Sequence, residues 1–122
     1  MAYTDIDKPE DYFNTKLYTG NGSTQSITGV GFQPDWIWQK ARNQTYDHRL
    51  FDAVRGTTKS IYSNTTGAEE TESGVTSFDS DGFSLGSHAG SNGNTVTYAS
   101  WNWLASNTTA SNTDGSITST VS

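Results

Sequence analysis

The 122-residue chain has no cysteine, only seven Lys or Arg residues against thirteen Asp or Glu, and no long apolar run. Each absence excludes something. Without cysteine there are no disulfides, zinc-thiolate sites or thiol nucleophiles, so the fold must hold by packing alone and redox compartment cannot be read. The basic residues are scattered from Lys8 to Lys59 and none follows. A groove that tracks phosphates needs clustered Lys and Arg, so neither nucleic acid nor an anionic membrane surface is an expected partner. No stretch is apolar enough for a membrane-spanning helix, and "MAYTDIDKPEDYF" lacks the basic start and apolar segment of a signal peptide. Synthesis in the cytoplasm without membrane insertion is the expectation.

What is present points to one thin-cored domain. Only 31% of residues are apolar, yet 12% are aromatic, and disordered chains are poor in large rings. Gly, Ser, Thr and Asn fill much of the rest; they suit turns and exposed strand faces and suit helices badly. The composition is that of an all-β protein. Period-two alternation and turn residues divide it into about seven or eight short strands, which predicts an antiparallel β-sandwich or jelly-roll-like domain over residues 12–105. An irregular lead-in with one short helical turn is expected over 1–11, and an extended polar linker or arm over 106–122.

Along the chain, "YFNTKLYTGNGSTQSIT" predicts a hairpin turning at Gly20-Asn21-Gly22-Ser23, and "GVGFQP" a loop. "DWIWQKAR" is the clearest strand, with Trp36, Trp38 and Lys40 on one side and Ile37, Gln39 and Ala41 on the other. "RLFDAVRG" fits a strand or a turn of helix, and strand is preferred. A strand over Ser60 to Ser63 follows, then an acidic loop with Glu69, Glu70 and Glu72. "GVTSFDSDGFSLGS" predicts a second hairpin turning at Asp79-Ser80-Asp81-Gly82, and Thr95 to Ala105 a last long strand.

The four tryptophans fall in two W-x-W pairs, Trp36 with Trp38 and Trp101 with Trp103. In extended chain, residues two apart share a face, so each pair is one aromatic surface. With so little Leu, Ile and Val to fill a sandwich, the indoles are expected on inner faces as core, or buried in a subunit interface. The competing reading leaves rings such as Trp38, Tyr46 and Tyr98 facing solvent as a platform for sugars.

Other constellations carry less. Asp79 and Asp81 alternate as in the start of a calcium loop, but the later ligands are absent and a hairpin turn accounts for them. The acidic cluster reads as a solvated loop. His48, between Asp47 and Asp52, and His88, after Ser87, show no catalytic or metal-ligand spacing. No catalytic residue, metal or cofactor is assigned and no enzymatic activity is expected. A glycosidase pair drawn from Asp47, Asp52, Asp79 and Asp81 is the distant alternative, which sequence spacing cannot show. The sequons at Asn21, Asn43, Asn64 and Asn107 are what this composition yields by chance.

In order and spacing, "KPEDYFNTKLYTGNGSTQSITGVGFQPDWIWQKARN", "HRLFDAVRG", "SNTTGAEE", "TSFDSDGFSLGS" and "TYASWNWLAS" resemble a domain of uncharacterised function. That domain recurs in predicted structural proteins of tailed bacteriophages, notably marine phages and cyanophages. The resemblance covers about residues 8 to 119. In similar proteins the domain is N-terminal and passes into lectin-like β domains through a segment like "SNTDGSITSTVS". The resemblance implies a virion protein made in the host cytoplasm, and the thin core, low charge density and polar C-terminal arm fit a capsid decoration (cement) or tail fibre domain that forms a homo-oligomer and packs on other virion proteins. It brings no catalytic residues with it. A carbohydrate-binding module that attaches to a host surface glycan is the alternative.

Overall fold

The alternation of side chains in this chain becomes two facing antiparallel sheets. The computed structural model describes residues 8–105, 110–112 and 119–121. After a single 3-10 turn at Pro9–Asp11 come β1 (Phe13–Thr19), β2 (Gln25–Ile27), β3 (Trp36–Ala41), β4 (Arg49–Asp52), β5 (Lys59–Tyr62) and β6 (Glu70–Thr71). They are followed by β7 (Val75–Asp79), β8 (Gly82–Leu85), the one-turn helix α1 (Ala89–Asn92) and β9 (Thr97–Trp103). The larger sheet has six strands in the order β1-β9-β3-β4-β5-β6 and the smaller has three in the order β2-β8-β7. Every strand pair is antiparallel. The expected all-β two-sheet architecture is therefore the observed one. In the C-terminal region β10 (Ala110–Asn112) pairs antiparallel with β11 (Ser119–Val121). Residues 1–7 of the expected lead-in, and 106–109, 113–118 and 122 of the expected arm, lie outside the described residues.

Turn chemistry fixes the hairpin of β7 and β8. Asp79 pairs with Gly82, which leaves Ser80 and Asp81 as the tip. Gly82 sits at φ +155°, and a Cβ there would lie 1.9 Å from the carbonyl oxygen of Ile27, so no other residue fits without moving the backbone. The other expected hairpin does not form. β1 pairs with β9 and β2 with β8, so the Gly20–Thr24 segment carries the chain from one sheet to the other. Asn92, fully buried, holds that crossing: its Oδ1 accepts from Asn21 N–H and from Gln25 Nε2, while its Nδ2 donates to Asn21 Oδ1, Gly86 O and Ser23 O.

The core lies between the sheets. Ile37 and Phe51 of the larger sheet meet Ile27, Val75, Phe83 and Leu85 of the smaller one, and Val30 and Phe32 from the β2–β3 loop complete the cluster. Eight residues of this kind bury enough apolar surface to exclude water from the centre without an indole among them. That corrects the inner-face placement expected of the tryptophans. On β3 the inward residues are Ile37, Gln39 and Ala41, and Trp36, Trp38 and Lys40 point the other way. On β9 the inward residues are Tyr98, Ser100 and Asn102, and Trp101 and Trp103 lie on the far face. The strands and their alternation are as read from the sequence. The face turned inward is the opposite one.

Candidate functional site: an aromatic sheet face

The outer face of the six-stranded sheet is assembled by register. Trp36 stands directly opposite Trp103 and Trp38 opposite Trp101, while on the other side of β9 Phe13 stands opposite Trp103 and Thr15 opposite Trp101. Leu17, next along β1, stands opposite Ala99; Leu50 stands opposite Trp38 and Ile61 opposite Leu50. Five strands thus contribute to one largely apolar face, with Thr15 within it, Lys40 near one end and Asp52 near the other.

The rings form an unbroken chain of contacts. Phe13 and Trp103 have centroids 5.0 Å apart, Trp103 and Trp36 stack at 4.5 Å and 26°, and Trp36 lies 6.5 Å from Trp38. Trp38 meets Trp101 edge-on at 6.0 Å and His48 edge-on at 5.8 Å. Neighbouring strands are about 4.8 Å apart, so two cross-strand indoles stacked at 4.5 Å stand with their planes upright on the sheet. Trp103 is flanked by Phe13, tilted at 47°, on one side and by Trp36, stacked, on the other.

Fixed in this way, the face is half-open. Phe13 is 38% exposed, Leu17 57% and Trp36 38%, and these are three of the six large apolar side chains that stand out from the surface of the described residues. The other three indoles are half-buried against one another. His48 locks one end: its Nδ1 accepts from Trp38 Nε1 at 3.0 Å, and its backbone N–H donates to Asn64 Oδ1 at 3.0 Å.

The residues named for sugar contact are separated. Trp38 belongs to the ring chain, and Tyr46 is exposed in the β3–β4 loop outside it. Tyr98 points to the inner side and is fully buried, which corrects its expected exposure. Its hydroxyl donates to Ala89 O at 2.5 Å and accepts from Gly93 N–H at 2.8 Å, tying α1 to β9, and burial pushes its pKa up. A groove of about 440 Å³ lies on the smaller sheet, lined by Thr24, Gln25, Ser26, Thr76, Ser84 and Leu85 with no aromatic ring. This groove does not coincide with the rings.

Most of the carboxylates singled out in the sequence serve internal bonds. Asp79 accepts from the Ser77 and Ser84 hydroxyls, and Asp81 from the backbone N–H groups of Gly29 and Gly31. Asp47 accepts from Asn64 Nδ2. Burial would raise the pKa of Asp52, but the backbone N–H and guanidinium of Arg55 hold it below its ordinary value. Glu69 pairs with Arg55 and Glu70 accepts from the Tyr62 hydroxyl. The acidic loop is thus not simply solvated. Glu72 binds Arg49 Nε at 2.8 Å and lies 3.1 Å from His88 Nε2, a cluster with Arg49 and Glu72 largely buried and His88 partly exposed, which the sequence reading missed because its members are far apart in the chain. Arg49 fits there because position 90 is glycine: a Cβ would lie 2.2 Å from its guanidinium carbon. Among the described residues no group of three or more His, Asp and Glu is arranged to hold a metal ion.

Fold and site together define an antiparallel two-sheet domain whose larger sheet carries an upright, interlocked aromatic face. The chain belongs to the family described as a domain of unknown function (DUF7483), whose model matches residues 8–122. No curated protein and no solved structure matches it.

Proposed function

We propose that this domain is a structural module of a tailed-phage virion, a capsid decoration or fibre domain, and that the aromatic face of its six-stranded sheet is the surface it packs against neighbouring virion proteins. The observation that carries the reading is the upright stacking of Trp36 on Trp103 with Phe13 behind. A sugar platform needs open ring faces. An assembly surface needs fixed apolar side chains that lose little conformational freedom on contact, and interlocked rings meet that need. The resemblance to domains of phage structural proteins, the absence of cysteine and the lack of a basic patch support the same reading.

The test is Trp36→Lys. Trp36 is outside the core, so the variant should fold with the wild-type circular dichroism spectrum yet lose incorporation into particles reassembled from virion components. Incorporation at the wild-type level would reject the reading. The alternative, a carbohydrate-binding module for host attachment, retains Trp38 and Tyr46 as candidate contacts, and quenching of tryptophan emission by host polysaccharide would favour it.

A further inference from the structure

Among the described residues the first strand of the larger sheet has an open side, and its register identifies which backbone groups face it. Leu104 N–H donates to Tyr12 O and Gly20 N–H donates to Val96 O, both in the register that pairs Phe13 with Trp103 and Thr19 with Thr97. The hydrogen-bonded pairs of this ladder are therefore those of residues 12, 14, 16, 18 and 20. The N–H and C=O groups of Phe13, Thr15, Leu17 and Thr19 point away from β9. Thr19 O accepts from Gln25 Nε2, and among the described residues the groups of the other three have no partner. The side chains of Phe13, Thr15 and Leu17 are exposed as well. An exposed edge with apolar side chains is a template for another strand, and natural proteins usually blunt such edges.

We infer that β1 pairs antiparallel with β1 of a second copy of this chain, about a two-fold axis through Thr15. This deepens the assembly reading of the aromatic face, on which its biological meaning rests. Only a register that sets open residues opposite open residues can form bonds. Centred on Thr15, Phe13 faces Leu17 of the second copy, Thr15 faces Thr15, and Lys16 faces Asn14. These are an aromatic–aliphatic pair made twice, a threonine pair and a neutral partner for the one charge, all favourable across strands. Centred on Lys16, the two lysines would oppose each other; centred on Asn14, Leu17 would meet Asp11. The segment Phe13-Asn14-Thr15-Lys16-Leu17 is thus self-complementary about Thr15, whereas an axis at Phe13 or Leu17 would set one end of the segment opposite residues beyond the strand. An axis normal to the sheet leaves both aromatic faces on the same side, so two six-stranded sheets join into one with a doubled ring surface.

Sedimentation of the wild-type protein, Thr15→Lys, Thr15→Glu and their equimolar mixture tests this. A two-fold at residue 15 puts like charges face to face in each variant and opposite charges face to face in the mixture. The wild type should dimerise, each variant should dimerise at least tenfold more weakly, and the mixture should recover dimers. Because the chain has no cysteine, Thr15→Cys adds a single thiol, and oxidation should link it to itself across the axis. Substitution at 15 leaves the β9 ladder intact, since its backbone groups point the other way. A monomeric wild type, or a dimer unmoved by both charged variants and not cross-linked by Thr15→Cys, overturns the inference. If Trp36→Lys abolishes association and the Thr15 variants do not, the edge pairing falls while the aromatic-face reading stands. If the Thr15 variants lose association while Trp36→Lys keeps wild-type incorporation into particles, the edge stands and the face falls.

Discussion

The two carboxylate oxygens of Asp81 take the backbone N–H groups of Gly29 and Gly31 at 2.9 and 2.8 Å, and its carbonyl takes Val30 N–H at 3.0 Å. Both glycines have positive φ, +81° and +94°, a geometry that glycine reaches at little cost and that aims successive N–H groups at one anion. The hairpin tip thereby pins the loop that delivers Val30 and Phe32 to the core. These two N–H bonds hold the Asp81 carboxyl below its ordinary value. A depressed folded-state pKa gives stability that is present above the unfolded value, about 3.9, and is lost as pH falls through the folded value. Asp81→Asn keeps one acceptor and loses the charge. The melting temperature of the variant should lie below that of the wild type near neutral pH, and the gap should close as pH falls below about 4. A gap that stays constant down that range would mean that the bonds do not depend on ionisation.

At the scale of the element, β3 shows what the sequence made legible and what it hid. Its position, length and alternation follow from "DWIWQKAR", and the turn at Asp79–Gly82 follows from its dipeptide chemistry. The inward face does not. Both faces of β3 and β9 carry plausible core residues, and the choice is made by Val30 and Phe32, which a period-two reading files as loop, and by the smaller sheet, whose pairing is set at long range. For the same reason the W-x-W pairs are legible as shared aromatic surfaces, while the side of the sheet they occupy is not. The false β1–β2 hairpin has a similar cause, because Gly20–Ser23 is good turn chemistry used to cross between sheets. Inward, β3 joins the row Lys16–Ser100–Gln39–Arg49–Tyr62 across five strands. Gln39 is 1% exposed and, among the described residues, neither end of its amide has a hydrogen-bond partner. An unpaired buried amide costs about 1–3 kcal/mol, and an apolar replacement of similar shape removes that cost. Gln39→Met should therefore be neutral or stabilising by about 1 kcal/mol in denaturant unfolding. A loss of about 2 kcal/mol would show that ordered water satisfies the amide in this layer.

For the whole molecule, the charge balance opposes the association that the surface favours. The chain carries a net charge of -6, and bringing two copies together places like charges within a few tens of ångströms. The surfaces assigned to assembly carry little charge of their own. On the ring face Lys40 is held by the carbonyls of Ala41 and Gln44, and Asp52 by Arg55. On the open edge the one charge, Lys16, meets an asparagine in the favoured register. No ion pair across the interface is therefore lost when salt is added, whereas the net repulsion is screened as the Debye length shrinks from about 30 Å at 10 mM to about 8 Å at 150 mM. Self-association measured by sedimentation should tighten several-fold over that range. It should tighten again as pH approaches the sequence pI near 4.5, where the net charge vanishes. An interface built on complementary charges would weaken with salt, so association that weakens over the same range would place the contact away from both the ring face and the edge of β1.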